Sequence, residues 1–322
     1  MNGVDSVRAA MLEDIGGVPV LSERPSPVAG DGEEIVDVLA VALNPVDLAI
    51  GGGRFYAGHP ALPYVPGHEA VVRRRTTGGL AYVSGGGLGV VRDGLLVECA
   101  SVPEATLIDL PAEVDPAVAV ALGTAGLAGW LSVEWRAGTR SGDVVVVLGA
   151  TGAVGKVALQ AARACGASRT VAVARSASRL GAPDVVADAT VAVGERLAER
   201  VLDAAGAEPT VVIDTTWGPS LAAVLGVVAP RARVVHLGAS AGPTAVIPSA
   251  PLRGRQIDIL GFSNFGVPRD VLVSTYRRMV DMAVSGSLVL SVERFPLGRV
   301  GDAWIRATTG EAKVVIEMGG SL

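Results

Sequence analysis

The sequence predicts an α/β protein: a parallel-sheet domain in the middle of the chain and a β-rich domain contributed by its two ends. Three features carry that expectation. From about residue 120 to 267, short β-branched strands alternate with Ala-rich helical segments, the signature of βαβ units. Within that stretch, residues 143–167 read as strand, tight turn and helix in direct succession. Before it, residues 1 to about 115 read as short strands separated by glycine-rich turns. A chain of 322 residues has room for roughly two domains and a sizeable core.

In the first part, Val36–Ala42, Glu69–Arg73 and Leu95–Cys99 are the strand candidates, punctuated by Gly51–Gly53 and Gly85–Gly87. The middle strands are Val144–Leu148, Thr170–Ala174, Thr210–Asp214 and Arg233–Leu237, with helix candidates between them. After about residue 268 the pattern is mixed again: a helix over Arg269–Ser285, then strands at Val289–Arg294 and Lys313–Glu317. This tail is expected to fold back onto the first part. The domain boundaries are therefore 1–120 completed by 268–322, and 121–267.

Composition narrows the function. Half of the residues are hydrophobic and 18% are charged; 27 basic against 32 acidic residues leave a net charge of -5, which offers no field to draw a polyanion. Nucleic acid is not an expected partner. Among the basic residues only Lys156 and Lys313 are lysine and the rest are arginine, whose planar, multi-donor side chains suit a single phosphate. With 42 glycines and 19 prolines the chain is turn-rich, and its apolar content is too high for disorder.

Two cysteines, Cys99 and Cys165, and three histidines, His59, His68 and His236, limit metal and disulfide chemistry. No C-x-x-C pair is present to build a cysteine zinc site, and two isolated thiols give no disulfide framework. Both thiols are read as small hydrophobes in a reducing, cytoplasmic setting. Asp5, Glu13 and Asp14 interrupt the apolar positions near the start, so no signal peptide is expected. Two uncharged stretches, Pro116–Val133 and Val234–Leu252, reach membrane-span length. Pro243, Pro248 and Pro251 break the second, and Gly123, Gly126 and Gly129 interleave an Ala-rich pattern in the first; both are expected to be soluble core, with no membrane partner.

The segment DVVVVLGATGAVGKVALQAARACGA, residues 143–167, runs from a continuous apolar strand into Ala150–Gly155 and then a helix closed by Gly166. This is the setting of a dinucleotide-binding turn. Gly152 lets the backbone approach a pyrophosphate, Gly155 lets helix and strand pack closely, and the helix N-terminus offers N–H donors. Ala150, Thr151, Gly152, Ala153 and Val154 are the candidate contacts, with Ala150 a departure from the glycine usual at the first position. An ordinary glycine-rich turn is the alternative.

Spacing addresses which nucleotide. An NAD site places a carboxylate at the end of the second strand, where it bonds the ribose 2′-OH. Here that strand ends at Ala174 and is followed by Arg175, Ser176, Ala177, Ser178 and Arg179. Two guanidiniums and two hydroxyls suit a 2′-phosphate, which points to NADP(H). The alternative is a helix start capped by Ser176 or Ser178.

The segment ALNPVDLAIGGGRFYAGHPALPYVPGHEAVV, residues 42–72, together with the GATGAVG turn and the C-terminal GEAKVVIE, resembles the medium-chain dehydrogenase/reductase superfamily. Within it, the resemblance is to the zinc-independent quinone oxidoreductase and enoyl reductase branch. It implies a GroES-like β-rich catalytic domain formed by both chain ends and a central Rossmann domain binding NADP(H). In zinc-dependent members a Cys, the His of G-H-E and a second Cys or acid hold the catalytic metal. In this chain Asn44 stands at the first Cys and the later one falls near Thr124, so no metal site is expected and His68 is read as structural. The chain also departs from the family after Glu69, where VVRRRTTGGLAYVSGGG replaces a longer stretch. Arg73–Arg75 there is read as a strand edge, with an anion contact as the alternative.

Without a metal, side-chain or backbone donors must stabilise charge on the acceptor. Asn44, Asp47 and Tyr56 are the candidate catalytic residues, resembling the N-P-x-D-x(n)-Y arrangement of enoyl-thioester reductases, with Phe55 one residue from Tyr56. Turn capping beside Pro45 is the alternative for Asp47. Ligands of parallel sheets sit beyond the carboxyl ends of the strands, which adds Asp214, Thr215 and Thr216, then Gly238, Ala239 and Ser240. Gly261, Phe262, Ser263 and Asn264 match the family segment that passes the nicotinamide. Lys313 resembles a family lysine near the active site, although a surface role is preferred.

The leading expectation is an NADPH-dependent, zinc-independent oxidoreductase acting on a small-molecule acceptor, a quinone or an α,β-unsaturated carbonyl compound. A 2-enoyl-thioester reductase and a nucleotide-binding sensor or structural protein without turnover are the alternatives. The resemblance also implies a homodimer through the sheet edge at Ile257–Phe262.

Overall fold

The structure, a computed structural model, describes residues 6–319, so Asp5 of the N-terminal reading lies outside the described residues. The described residues divide into two compact units, one of residues 6–124, 276–287 and 291–319, the other of residues 125–275 and 288–290.

The first unit opens with strands β1 (Ser6–Met11) and β2 (Val20–Pro25), paired as an antiparallel hairpin. Then come β3 (Glu33–Ala42), helix α1 (Pro45–Gly51), β4 (Glu69–Arg74), β5 (Leu80–Ser84), β6 (Cys99–Pro103), β7 (Leu107–Leu110) and α2 (Pro116–Ala121). The expected strand over Leu95–Cys99 begins only at Cys99. The backbone N–H groups of Leu95 and Leu96 are bonded instead to the carbonyls of Gly67 and Pro66, in the segment before β4, which leaves them unavailable to a ladder.

The second unit follows with α3 (Leu127–Leu131), β8 (Val144–Leu148), α4 (Ala153–Ala164), β9 (Arg169–Ala174), α5 (Ala177–Leu180), β10 (Ala189–Ala192), α6 (Leu197–Ala205), β11 (Val211–Asp214), α7 (Pro219–Val224), β12 (Arg233–His236), α8 (Ser249–Gly254) and β13 (Asp258–Gly261). Its six strands are all parallel, in the order β10-β9-β8-β11-β12-β13. Numbered within the sheet this is 3-2-1-4-5-6, the order of a Rossmann fold. Every residue of β8 is buried, as a central parallel strand covered on both faces requires. The core gathers Val146, Val171, Val212 and Val234 of the sheet with Val201, Leu221 and Leu225 of the covering helices.

Helix α9 (Arg269–Val284) leads back to the first unit, which β14 (Glu293–Pro296), α10 (Val300–Thr308) and β15 (Val314–Glu317) complete. The expected strand at Val289–Arg294 forms four residues later. The Gln160 side chain claims the Val289 backbone, accepting from its N–H at 2.9 Å and donating to its carbonyl at 2.9 Å. The first unit's larger sheet runs β14-β15-β3-β4-β5-β7 with β6 on the side of β3, and β15 pairs antiparallel with β3 through Ile316 and Val41. The C-terminal strand is thus built into the sheet that the first part of the chain begins. Its core combines Val36, Val41, Val72 and Val83 with Trp304, Val314 and Ile316.

One helical stretch, Pro116–Arg136, is long and apolar enough to cross a membrane, but 78% of its apolar window is buried within the protein. The second uncharged stretch forms β12, a loop and α8 instead of one helix.

Candidate active site and nucleotide-binding turn

In the first unit, polar side chains from α1, β4, β5, α2's continuation and the start of β15 meet in one buried cluster. Asn44 and Asp47 begin α1, where the Asp47 carboxylate accepts from the Asn44 backbone N–H at 2.9 Å and fixes the first turn. Asp47 Oδ1 also accepts from the His68 backbone at 3.1 Å and faces His68 Nδ1 at 2.8 Å. His68 Nε2 lies 2.9 Å from Thr124 Oγ1. Thr124 in turn donates to Glu69 Oε2 from both its backbone N–H, at 2.7 Å, and its hydroxyl, at 2.8 Å.

Glu69 is fully buried and surrounded by donors. Tyr82 donates to it at 2.7 Å, Asn44 Nδ2 donates at 2.6 Å, and Lys313 Nζ is 3.8 Å away. The Asn44 carboxamide is fully engaged, because Nδ2 also donates to Ala42 O and Oδ1 accepts from Lys313 at 2.5 Å. Helix geometry makes this possible: Gly123 has ψ near -114°, a kink that turns the Thr124 N–H onto Glu69. The Tyr82 ring packs against Tyr276, with centroids 4.4 Å apart.

Electrostatics follow from burial and pairing. Burial pushes the Asp47 carboxyl up, but His68 and the hydrogen bonds it receives more than offset this and leave it below its ordinary value. Burial pushes His68 down, yet Asp47 and Glu69 hold it above its ordinary value. Burial lowers Lys313, against the pull of Glu69 and Asp47. Burial and the nearby Asp47 push Tyr64 up to about 12, and burial with Glu69 raises Tyr82.

The structure therefore brings Asn44 and Asp47 together, and adds His68, Glu69, Tyr82, Thr124 and Lys313 to them. Lys313 is only 7% exposed, which corrects the surface role preferred from sequence. A lysine just before a short apolar strand reads as an exposed strand end, which hid the burial; the signal was its rarity, as one of only two lysines. Tyr56 is not part of the cluster. It is 85% exposed and leans on Phe55 at 4.5 Å, because the glycines before it carry the chain out of α1. Arg73–Arg75 is tied within its own sheet: Arg74 pairs with Glu34 and Asp109, Arg75 with Asp37, and Arg73 donates to Gly78 O.

In the second unit, the turn after β8 is made by Gly149, one residue before Ala150. Gly149 has φ of +81°, and a β-carbon on it would meet Thr215 Oγ1 at 2.0 Å. That accounts for the alanine at the fingerprint's first position. Gly155 is equally confined, since a β-carbon there would lie 2.5 Å from Gly149 O, whereas a β-carbon on Gly152 would have no atom closer than 3.6 Å. Gly152 thus borders open space at the start of α4, where the first N–H groups have no intrahelical acceptor.

At the end of β9, Ser176 caps α5 by accepting from the Arg179 N–H at 3.3 Å. Arg179 reaches back and donates to Thr151 O at 3.1 Å, joining the two halves of the expected site, while Arg175 is exposed. Ser240 donates to Thr215 O at 3.2 Å, and Gly238 passes so close to Thr215 that its β-carbon would lie 2.9 Å from that carbonyl. Asp214 spends its carboxylate on the backbone of Thr216 and Trp217 and on the Thr216 hydroxyl. Phe262 and Ser263 border an open cavity of about 450 Å³ with Trp135 and Arg136. Ala239 and Asn264 lie beside these, on the loops after β12 and β13.

The donor set suits a dinucleotide: a turn open at Gly152, unpaired helix N–H groups and guanidinium beside them. It does not suit zinc. Among the described residues no group of three or more His, Cys, Asp or Glu could hold a metal, and His68 and Glu69 already direct their polar atoms at Asp47, Thr124, Asn44 and Tyr82.

The family model of zinc-binding dehydrogenases matches residues 153–285. A zinc-type alcohol dehydrogenase-like protein of Schizosaccharomyces pombe is 31% identical over 211 residues, 61% of this chain and 58% of that protein. The quinone oxidoreductase of Pongo abelii is 30% identical over 171 residues, 51% of this chain and 52% of its own. The chain thus spans little more than half the length of these relatives. Among solved structures, the quinone oxidoreductase of Thermus thermophilus, determined also in complex with NADPH, superposes with a TM-score of 0.78 at 27% identity, covering 97% of this chain and 100% of that one. A protein from Mycobacterium abscessus described as a probable oxidoreductase shares the fold with a TM-score of 0.84 at 23% identity, covering 98% of this chain and 100% of that one.

Proposed function

We propose that the chain is a member of the medium-chain dehydrogenase/reductase superfamily, in its quinone oxidoreductase-like branch, and that it reduces a quinone or an α,β-unsaturated carbonyl compound with NADPH. The observation that carries the nucleotide choice is Arg179, which reaches from α5 to Thr151 O, while Arg175 stands just past the end of β9, where a carboxylate would serve NAD. Bound NADPH supplies the hydride from its nicotinamide.

The chain's own groups do the rest. Thr151–Val154 and the N-terminus of α4 receive the pyrophosphate. Arg175, Ser176 and Arg179 receive the 2′-phosphate. Thr215, Gly238–Ser240 and Phe262–Asn264 line the path beyond the strand ends. Asn44 and Asp47 spend their polar atoms on Lys313, Glu69 and His68, so in this reading they hold the buried cluster rigid, and contact with the acceptor falls to open donors such as Tyr56. No zinc takes part. The half-exposed edge strand β13 supports a homodimer, and the absence of a disulfide between Cys99 and Cys165 among the described residues is compatible with a cytoplasmic setting.

The test is to titrate NADPH and NADH by nucleotide fluorescence, and to follow NADPH oxidation with a quinone panel and an enoyl-thioester panel. Preferred binding of NADPH with quinone or enone turnover is expected. Failure to bind either nucleotide would sink the proposal, and binding with no turnover on either panel would favour a sensor.

A further inference from the structure

We propose that Thr124 is a positioning residue that keeps His68 doubly protonated, so that the first unit holds a standing imidazolium among its buried carboxylates. The argument is a count of hydrogens. Thr124 Oγ1 lies 2.8 Å from Glu69 Oε2 and 2.9 Å from His68 Nε2, and a hydroxyl has one proton to give.

Glu69 is placed as an acceptor on both oxygens. Oε1 receives Asn44 Nδ2, and Oε2 receives the Thr124 N–H and the Tyr82 hydroxyl. A hydrogen bond to a carboxylate is roughly twice as strong as one to a neutral acceptor, so the Thr124 proton goes to Glu69. The lone pairs of Oγ1 then face the imidazole, and Nε2 must bring its own hydrogen. On the other edge of the ring, Nδ1 faces Asp47 Oδ1 at 2.8 Å. Asp47 already accepts from the backbone N–H groups of His68 and Asn44, so it too is an acceptor and Nδ1 must also carry a hydrogen. An imidazole with hydrogen on both nitrogens is a cation.

Charge accounting agrees. The ionisable groups around His68 are Asp47 on α1, Glu69 on β4 and Lys313 before β15, with the phenols of Tyr64, Tyr82 on β5 and Tyr276 on α9 raised by burial and neutral. With Lys313 charged and His68 neutral, this dry cluster would carry one unbalanced negative charge; the imidazolium brings it to zero. Burial alone would push His68 down, and the two carboxylates reverse that. None of this depends on hydride transfer: a protein that binds nucleotide without turnover would hold the same charge.

The experiment is nitrogen-15 NMR of the full chain labelled at histidine, with His68 assigned by the His68→Gln spectrum. At about pH 7, where an ordinary histidine is about threefold more neutral than charged, His68 is expected to show both ring nitrogens protonated. Thr124→Val removes the hydroxyl at nearly constant volume and is expected to lower the His68 titration midpoint by about one pH unit, a tenfold loss of protonation, with Thr124→Ser restoring it. A singly protonated His68 in the unmodified chain at about pH 7 overturns the proposal. So does a midpoint unmoved by Thr124→Val. Should that variant not fold, the spectrum of the unmodified chain decides alone.

Discussion

The backbone at Gly123 passes so close to Glu69 that a β-carbon there would lie 2.3 Å from Oε2, and it would lie 2.5 Å from the Tyr82 hydroxyl. Neither neighbour can retreat, since both are buried and bonded to each other. Gly123→Ala is expected to cost about 1 to 3 kcal/mol of stability, the usual range for overpacking. Urea denaturation measures it, and a loss below about 0.5 kcal/mol would mean that the kink relaxes freely.

Two glycines of the nucleotide turn should separate folding from binding. Gly149→Ala forces a left-handed backbone on a side chain and drives it into Thr215, so it should destabilise the second unit by about 1 to 2 kcal/mol or more. Gly152→Ala meets no protein atom closer than 3.6 Å and should leave stability unchanged while weakening NADPH binding at least about tenfold. Equal effects of the two on stability would refute this assignment.

Arg175→Asp and Arg179→Ala are expected to weaken NADPH by roughly tenfold to a hundredfold, the range for hydrogen bonds to charged groups, and NADH by far less. Fluorescence titration of both nucleotides provides the readout. A proportional loss for the two would place the 2′-phosphate elsewhere.

The buried cluster also gives a two-sided pH dependence. Asp47 is held below its ordinary 3.8, so the stability it adds is complete above about pH 4 and is lost as pH falls through its lowered value. His68 is held above its ordinary 6.5, so its contribution is complete below that value and fades as pH rises through its raised one. Lys313, lowered, acts in the opposite sense nearer its ordinary 10.5, where losing its charge relieves the fold. Glu33, Glu34 and Asp143 share the acid limb, which makes the alkaline limb the specific one. In His68→Gln the decline in urea midpoint as pH rises above about 6.5 should disappear; its persistence would assign that limb to another group.

The parallel sheet is legible because its strands are uniformly apolar: Val144–Leu148 matches its expected span to the residue. The edge strands β10 and β13, four residues each and half exposed, carry too few apolar positions to show a period. Site residues divide along the same line. Arg179 can be placed from local spacing alone, since it lies one helix, one strand and a turn beyond the glycines. The cluster around Glu69 joins positions 44, 69, 82, 124 and 313, and nothing local in the sequence records that Tyr82 or Lys313 faces a carboxylate. Tyr56 illustrates the converse, a motif position whose side chain the loop turns outward.

The antiparallel pairing of β15 with β3, and the Lys313 to Asn44 bond beside it, has a meaning for synthesis as well as for structure. Asp47 and Glu69 leave the ribosome long before the ammonium that sits with them, which is 269 residues beyond Asn44 in sequence. The middle of the chain has all six of its strands available by Gly261 and can settle first. The outer sheet must wait, with two carboxylates hydrated and its edge open, until the last strand arrives. Nascent chains stalled before Lys313 should therefore yield a protease-resistant core drawn from residues 125–275 and a digestible N-terminal segment.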